Sequence, residues 1–252
     1  MNFKKLEMTG KNVLVTGATS GIGLATARLI ASRGGNVILN YLYEDEVDPK
    51  AVLAEIEAMG VKALLLKADV MNRAQVDEMV AKAMQNFGRI DGLFNNAGGA
   101  VGRAFFLEVT TETWQKALDL NLTSIFHVSQ AVLPHMVAQR SGRVVNTSSI
   151  AYRIGGYEGS IPYSAAKGAV VTMSKGMAGE FLKHGITVNT LAPGPTRTRF
   201  FNNDPKRLAQ RAASSPMGRL GEPEETAEAA AFLLSDAASY ISGALLEVAG
   251  GY

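Results

Sequence analysis

The 252-residue sequence contains no cysteine, which excludes disulfide bonds and thiolate metal sites but identifies no cellular compartment. The excess of positive over negative charge is also small. The formal net charge is +2, and the lysines and arginines are dispersed rather than gathered in a run. This pattern argues against nucleic acid or an anionic membrane as a partner. No apolar run approaches the about 20 residues that span a bilayer, so no membrane partner is expected either.

Further absences bear on organisation and location. Residues 1–7 lack the apolar core typical of a signal peptide, which favours a cytoplasmic protein. The three histidines, His127, His135 and His184, are too scattered for two to share a helical turn, so no metal site is predicted. No linker, internal repeat or low-complexity tract divides the chain. We therefore predict one domain over residues 1–252.

Short runs rich in Val, Ile and Leu alternate with longer segments of helical periodicity. The runs are 12–16, 36–41, 61–67, 90–95, 143–147, 187–192 and 244–248, and the clearest helical segments are 22–33, 75–87, 113–139 and 163–184. Strands without apolar/polar alternation indicate a parallel sheet that is covered on both faces. The pattern predicts an α/β fold: a doubly wound, Rossmann-like sheet of about seven strands with helices on both faces.

A glycine-rich turn follows the first predicted strand and opens the first helix, with the sequence TGATSGIG at 16–23. Glycines there let the backbone approach a pyrophosphate, and the helix amino terminus offers free N–H groups to the anion. The alternative is a tight strand-to-helix turn without a ligand. The cofactor-binding candidates in this turn are Gly17, Thr19, Ser20, Gly21, Ile22 and Gly23.

Polar and small residues also end the next strands, where ligands bind in open α/β sheets. Tyr41 ends the second strand, and Asp69 and Val70 end the third. Asp69 could accept a hydrogen bond from an adenine amine, or cap the helix that begins near Asn72.

The NNAG sequence at 95–98 ends the fourth strand. Its two amides, Asn95 and Asn96, could hold neighbouring loops in place and reach a ribose, with Ala97 and Gly98 beside the cofactor. The alternative is an Asn-rich turn.

Tyr163 and Lys167 are four residues apart in a predicted helix and so share one face. At about 4 Å and an effective dielectric near 20, an ammonium and a phenolate attract by about 4 kcal/mol. We therefore expect Lys167 to lower the pKa of the Tyr163 phenol toward neutrality, where general acid–base catalysis works best. Taken alone, this spacing also occurs by chance on surface helices.

The motifs TGATSGIG at 16–23, NNAG at 95–98, SS at 148–149, YSAAK at 163–167 and PG at 193–194 occur in one order along the chain. In this combination the sequence resembles the short-chain dehydrogenase/reductase family over nearly its whole length. The resemblance implies an oxidoreductase that transfers a hydride between NAD or NADP and a carbonyl or secondary-alcohol substrate. The alternative from another class is a non-catalytic dinucleotide-binding sensor or regulatory module on the same fold.

The resemblance also implies four catalytic residues. Tyr163 would be the general acid/base, and Lys167 would lower its pKa and bind the nicotinamide ribose. Ser149 would orient the substrate oxygen, although it lies fourteen residues before Tyr163, one more than is usual in the family. Ser148 therefore remains the alternative serine. Asn121 would relay protons through water from Lys167, or be a satisfied core asparagine.

In the segment 193–217, which we predict to be the substrate loop, the resemblance places Pro193, Gly194, Thr196 and Thr198 near the nicotinamide. The cofactor choice is less determined. NAD-preferring relatives carry Asp at the position of Tyr41, which favours NADP here. However, neither Ser20 nor Leu42 is basic, and the acidic residues 44–46 would oppose a phosphate if they pointed inward.

Further residues are candidates for lining the substrate pocket: Phe105, Phe106, Phe200, Phe201, Arg197, Arg199, Tyr152, Arg153 and Tyr157. The arginines could meet an acid or face water. The resemblance also implies a homotetramer or homodimer built on two long helices, with the apolar tail 244–252 joining the interface.

Overall fold

The computed structural model describes residues 3–44, 47–157, 159–201 and 204–252. Its centre is a sheet of seven parallel strands in the order β3-β2-β1-β4-β5-β6-β7. The strands are β1 (Asn12–Val15), β2 (Asn36–Tyr41), β3 (Ala63–Lys67), β4 (Gly92–Asn95), β5 (Gly142–Thr147), β6 (Ile186–Pro193) and β7 (Leu245–Val248). The predicted doubly wound fold is confirmed, and each predicted run matches one strand with ends that differ by no more than two residues.

Helices connect the strands. They are α1 (Gly21–Ser32), α2 (Pro49–Glu57), α3 (Arg73–Phe87), α4 (Thr111–Leu118), α5 (Ser124–Gln139), α6 (Ala151–Ile154), α7 (Ile161–Phe181), α8 (Pro205–Ser214) and α9 (Pro223–Leu234). The sequence prediction omits α2, although Asp48 caps it by accepting a hydrogen bond from the Lys50 N–H and Pro49 opens it.

The predicted single helix over 113–139 is wrong in one respect. A π-helical turn, Asp119–Thr123, separates α4 from α5. The Asn121 amide donates back to the Ala117 carbonyl at 3.0 Å and also leaves the helix to bond Gly99, which ties the widened turn to a neighbouring loop. Such π-turns are frequent at functional sites.

Alternate residues of each central strand enter two apolar cores on opposite faces of the sheet. Leu14 and Ile38 pack on the side of α3, α5 and α7. Val13, Val15 and Val37 pack on the side of α1, α2 and α9. Because both faces are covered, the strands read as continuous apolar runs rather than as alternating ones.

The chain builds the sheet from β1 outward through β2 to β3, and then crosses back to place β4 on the other side of β1. The direction in which strands are added therefore reverses between β1 and β4. A crevice outside the carboxyl ends of the strands at this point is where open α/β sheets bind ligands. Within the described ranges, no helix combines the length and apolar character needed to cross a membrane.

Candidate active site

A cleft of about 780 Å³ opens at the carboxyl ends of the strands. It extends from the glycine turn before α1 to the start of α7. Most of the predicted site residues line it: Gly17, Thr19, Ser20, Gly21, Ile22, Tyr41, Asp69, Val70, Ala97, Gly98, Ser149, Tyr163, Lys167, Pro193, Gly194, Thr196 and Thr198. Asn95, Asn121 and Gly23 lie behind this surface.

The glycine turn has the geometry of an anion cradle. Gly17 and Gly21 adopt φ values of +62° and +51°, a region that side chains disfavour. A β-carbon on Gly23 would lie 2.2 Å from the Gly17 carbonyl oxygen, so only glycine fits there. Ser20 precedes α1 without capping it through its side chain, which leaves the first N–H groups of the helix directed at the cleft. A nucleotide pyrophosphate fits this turn.

Thr16 and Asn96 hold the glycine turn against the end of β4. The Thr16 hydroxyl accepts hydrogen bonds from the N–H groups of Asn96 at 2.9 Å and Ala97 at 3.0 Å. In return, the Asn96 amide donates to the carbonyls of Thr16 and Gly17. This confirms the expectation that an amide of the NNAG sequence holds neighbouring loops together.

The other half of that expectation, that the two amides reach a ribose, does not hold for Asn95. Its side chain is 1% exposed and points into the interior, where it donates to Ser129 at 3.0 Å and to Asn146 at 2.8 Å. Asn95 pairs with Asn146 in the register of β4 and β5, so the two amides meet beneath the cleft rather than within it. Asn95 therefore supports the strand ends and does not reach a ribose.

Asp69 lies in the cleft wall and does not cap the following helix. Its carboxylate accepts from the Met71 N–H at 2.9 Å, which closes a turn at the end of β3. Asn72 caps α3 instead by accepting from the Gln75 N–H. The Asp69 carboxylate remains available to a base that binds beside it.

At the end of β2, Tyr41 lines the cleft, whereas Glu44 of the acidic stretch that follows does not. Glu44 forms an ion pair with Lys67 at 2.8 Å, with both side chains more than half exposed, and it does not line the cleft. Asp45 and Glu46 lie outside the described residues. Glu44 is therefore part of a solvated acidic loop rather than a charge directed at a bound nucleotide.

Tyr163 and Lys167 come together at the cleft floor, as their spacing predicts. The Lys167 ammonium is 5.7 Å from the centre of the Tyr163 ring and donates to the Thr147 carbonyl at 2.8 Å. Lys167 is 2% exposed, and burial lowers its pKa to about 7. The close packing of Gly98 is part of this arrangement, because a β-carbon there would lie 3.2 Å from the Lys167 ammonium.

The predicted lowering of the Tyr163 pKa is wrong when the protein's own groups alone act on the phenol. Burial raises the pKa of Tyr163 to about 12, and a hydrogen bond with Ser149 lowers it by less than burial raises it. The prediction omitted desolvation and assumed a full charge on Lys167 at about 4 Å. In the folded protein, burial disfavours the charged forms of both side chains, so the phenol is held protonated at neutral pH.

The two neighbouring serines have different partners. Ser148 is 1% exposed, and its hydroxyl donates to the Lys167 carbonyl at 2.7 Å, which ties the end of β5 to α7. Ser149 lines the cleft, where its hydroxyl accepts from the Ala151 N–H and bonds Tyr163. The segment between Ser149 and Tyr163 contains the short helix α6. This geometry favours Ser149 over Ser148 as the serine of the reacting centre.

Asn121 is buried behind Lys167, and both its amide oxygen and its amide nitrogen are hydrogen-bonded. Its Oδ1 accepts from the Gly99 N–H at 3.0 Å, and its Nδ2 donates to the Gly99 and Ala117 carbonyls. A β-carbon on Gly98 would lie 2.8 Å from the Asn121 Oδ1. The side chain thus fixes the loop that passes over Lys167, and these bonds do not decide between the core asparagine and the water relay.

The predicted pocket-lining residues divide into two groups. Phe200, Arg199 and Tyr157 line the cleft, and the Phe200 ring lies 5.6 Å from that of Tyr163. The others face away: Arg197 pairs with Glu222, Tyr152 and Arg153 bond Glu247, and Phe105 and Phe106 are exposed outside the cleft. The Phe201 side chain lies outside the described part of the structure.

Sequence reasoning missed several cleft residues. Asn40 accepts a hydrogen bond from the Gly17 N–H and donates to the Ala68 carbonyl at 3.0 Å, so it joins the ends of β1 and β3. Arg103, Arg207 and Arg211 line the end of the cleft near Tyr157. The four-residue spacing of Arg207 and Arg211 could have predicted that both lie on one face of a helix.

Comparison with known proteins identifies the architecture. A family model described as enoyl-(acyl carrier protein) reductase matches residues 17–252. The 3-oxoacyl-[acyl-carrier-protein] reductase FabG of Thermotoga maritima is 38% identical over 247 residues, which cover 98% of this chain and 99% of that protein. The chain belongs to the short-chain dehydrogenase/reductase family.

Two further members of the family show its range. The cis-4-hydroxycyclohexanecarboxylate dehydrogenase of Sinomonas cyclohexanicum is 40% identical over 240 residues, 95% of each chain. A 7α-hydroxysteroid dehydrogenase solved with NADH and 7-oxo glycochenodeoxycholic acid superposes with a TM-score of 0.92 at 31% identity. That match covers 100% of this chain and 97% of the other. Like these relatives, the protein is an NAD(P)-dependent oxidoreductase, and no finding supports the non-catalytic alternative.

Proposed function

We propose that the protein interconverts a ketone and a secondary alcohol with NADP(H), with Tyr163 as the proton donor and acceptor. The observation that carries the proposal is one continuous cleft, which joins the glycine turn at Gly17 to Tyr163 and Ser149. When bound, the nicotinamide supplies or accepts the hydride. The protein then has only to orient the substrate and move one proton.

Each residue of the centre has a distinct part in that step. The Tyr163 hydroxyl, protonated at neutral pH, gives its proton to the carbonyl oxygen as the alcohol forms. The Ser149 hydroxyl donates to the same oxygen and holds it beside the phenol. Lys167 lies close to Gly98 and bonds the Thr147 carbonyl, a position that supports its binding to the nicotinamide ribose. Asn121 acts by holding this loop, and the water relay from Lys167 stays a proposal.

The preference for NADP over NAD rests on the adenosine end of the cleft. Tyr41 stands where a carboxylate would repel a 2′-phosphate, and Glu44 is engaged by Lys67 at the surface. Lys67, the register partner of Tyr41, is taken up by that ion pair and does not line the cleft. The preference for NADP therefore rests on the absence of a carboxylate at Tyr41.

The preference is tested by measuring kcat/KM for both cofactors with a carbonyl substrate found by screening. We expect NADPH to be preferred and Tyr41→Asp to reverse the preference, because its carboxylate would repel the 2′-phosphate and accept from ribose hydroxyls. Tyr41→Phe is the control, and it should keep the wild-type preference. A wild-type preference for NADH would overturn the choice of NADP but leave the reaction class intact.

The names of the relatives support a small-molecule substrate with a ketone or secondary alcohol. We also propose that the chain acts as one domain whose substrate loop is 193–217. We expect it to function in the cytoplasm, as a homotetramer or homodimer. Exposed Phe126 on α5 supports contact between subunits through the long helices. Size-exclusion chromatography with light scattering tests the assembly.

A further inference from the structure

Three arginines line the end of the cleft nearest Tyr157. Arg103 lies in the segment after β4, and Arg207 and Arg211 lie one turn apart on α8. In the part of the chain that the structure describes, no carboxylate is within ion-pair distance of any of them. Most arginines outside the cleft, such as Arg28 with Glu55, are paired with a carboxylate; Arg140 bonds a backbone carbonyl instead.

The three guanidinium groups act on one another. Burial and the charges of Arg207 and Arg211 together lower the pKa of Arg103. A guanidinium nevertheless stays charged in proteins, so three positive charges remain together. Among the described residues no carboxylate pairs with these charges, and an anion bound among them would reduce their repulsion.

The Arg211 side chain and the backbone beside Arg103 are held in place. The Arg211 guanidinium stacks over the Tyr157 ring at 3.1 Å, and the Tyr157 hydroxyl donates to Tyr252 at 3.1 Å. Stacking of this kind covers the face of the guanidinium but leaves its edge N–H groups free to donate. The Arg103 segment is fixed as well, since the Ala104 N–H donates to the Gly159 carbonyl at 3.3 Å.

Position in the cleft separates this cluster from the adenosine end. The Tyr157 loop leads directly into α7, which carries Tyr163, and the Phe200 ring that precedes α8 contacts Tyr163. Tyr41 and Asp69 end β2 and β3, on the other side of the sheet's reversal point between β1 and β4. The arginines therefore face the substrate side of Tyr163, not the adenosine ribose.

We propose that the substrate carries an oxyanion, a carboxylate or a phosphate, which Arg103, Arg207 and Arg211 bind while its ketone or alcohol lies at Tyr163 and Ser149. The inference rests on the proposed function. Planar guanidinium groups donate paired hydrogen bonds that match either anion. The substrates are then oxo acids and hydroxy acids, or oxoacyl thioesters whose carrier group bears the phosphate.

Matched substrate pairs test the inference and separate the two sources of the anion. One pair is an oxo acid and its methyl ester, and the other is an oxoacyl-coenzyme A thioester and its phosphate-free N-acetylcysteamine analogue. The wild-type enzyme should prefer the anionic member of one pair. Preference within the first pair identifies a carboxylate, and preference within the second identifies a phosphate.

The variants assign that preference to the arginines. Arg207→Ala and Arg211→Ala should lower kcat/KM for the anionic member by about 10- to 100-fold, mainly through KM, and leave the neutral member unchanged. Arg207→Lys keeps a charge and should recover part of the loss. Arg28→Ala removes the same charge from the surface and is the matched control.

Equal kcat/KM within both pairs, or an unaltered preference in the arginine variants, would overturn the inference. The proposed function fails separately, if no carbonyl or alcohol is turned over at all. In that case, calorimetric titrations of the NADPH-bound protein with succinate and, separately, with inorganic phosphate decide the inference. Binding of either anion that Arg207→Ala weakens about 10-fold or more supports it, whereas absent binding of both, or binding equal in the variant, contradicts it.

Discussion

The different partners of Ser148 and Ser149 predict opposite effects of two single substitutions. The Ser148 hydroxyl is buried and donates to the Lys167 carbonyl at 2.7 Å. Removing a neutral buried hydrogen bond costs about 1 kcal/mol, so Ser148→Ala should lower the free energy of unfolding by that amount. Although Ser148 borders the cleft, its hydroxyl bonds the backbone carbonyl of Lys167 and not the ammonium, so kcat/KM should stay close to that of the wild type.

Ser149→Ala should do the reverse. Its hydroxyl faces the cleft and bonds Tyr163, so its loss removes a donor to the substrate oxygen. Removal of one such donor typically costs about 10²–10³ in rate. Ser149 lies on the cleft surface, where water can replace its hydrogen bonds, so the free energy of unfolding should fall by no more than about 1 kcal/mol.

The assay combines two measurements on each variant: kcat/KM from the absorbance of the reduced nicotinamide, and the free energy of unfolding from urea titration. The assignment of roles is refuted if Ser148→Ala loses as much activity as Ser149→Ala. It is also refuted if Ser149→Ala keeps wild-type activity, whichever stability changes accompany that result.

Two further predictions concern Lys167 and the glycine turn. Burial lowers the Lys167 pKa from 10.5 to about 7. Between these two pH values the unfolded chain therefore binds more protons than the folded one. The free energy of unfolding of the wild type should thus rise by a few kcal/mol from about pH 7 to about pH 10. Lys167→Met should abolish that rise in urea unfolding, and an unchanged slope would contradict the buried-ammonium assignment. Gly23→Ala places a β-carbon 2.2 Å from the Gly17 carbonyl and should weaken NADPH binding at least about 10-fold in fluorescence titration. The exposed helical Gly179→Ala, which meets no atom within 4 Å, should bind normally; equal binding by both variants would show that the turn tolerates a side chain.

Much of the fold could be predicted from the sequence because its strands are buried on both faces. Continuous apolar runs such as 36–41 then have one plausible role, and the glycines at 17, 21 and 23 mark one kind of turn. The order of the motifs also placed Tyr163, Lys167 and Ser149 at a common site, which the structure brings together.

Properties that depend on tertiary packing were beyond the sequence. Asn95 points inward because its register partner on β5 is Asn146, and strand pairing cannot be read from the NNAG sequence. The Tyr163 pKa is dominated by burial, which spacing along a helix does not report. Arg103 joins Arg207 and Arg211 only through the folded cleft, since more than one hundred residues separate them in sequence.

The most direct test of the central claim is the single-turnover rate of carbonyl reduction by Tyr163→Phe with NADPH already bound. The phenylalanine ring keeps the contact with Phe200 but cannot give a proton. We expect the rate to fall by about 10²–10⁴ while the dissociation constant for NADPH stays at the wild-type value. A rate equal to the wild type, with cofactor bound, would show that Tyr163 is not the proton donor.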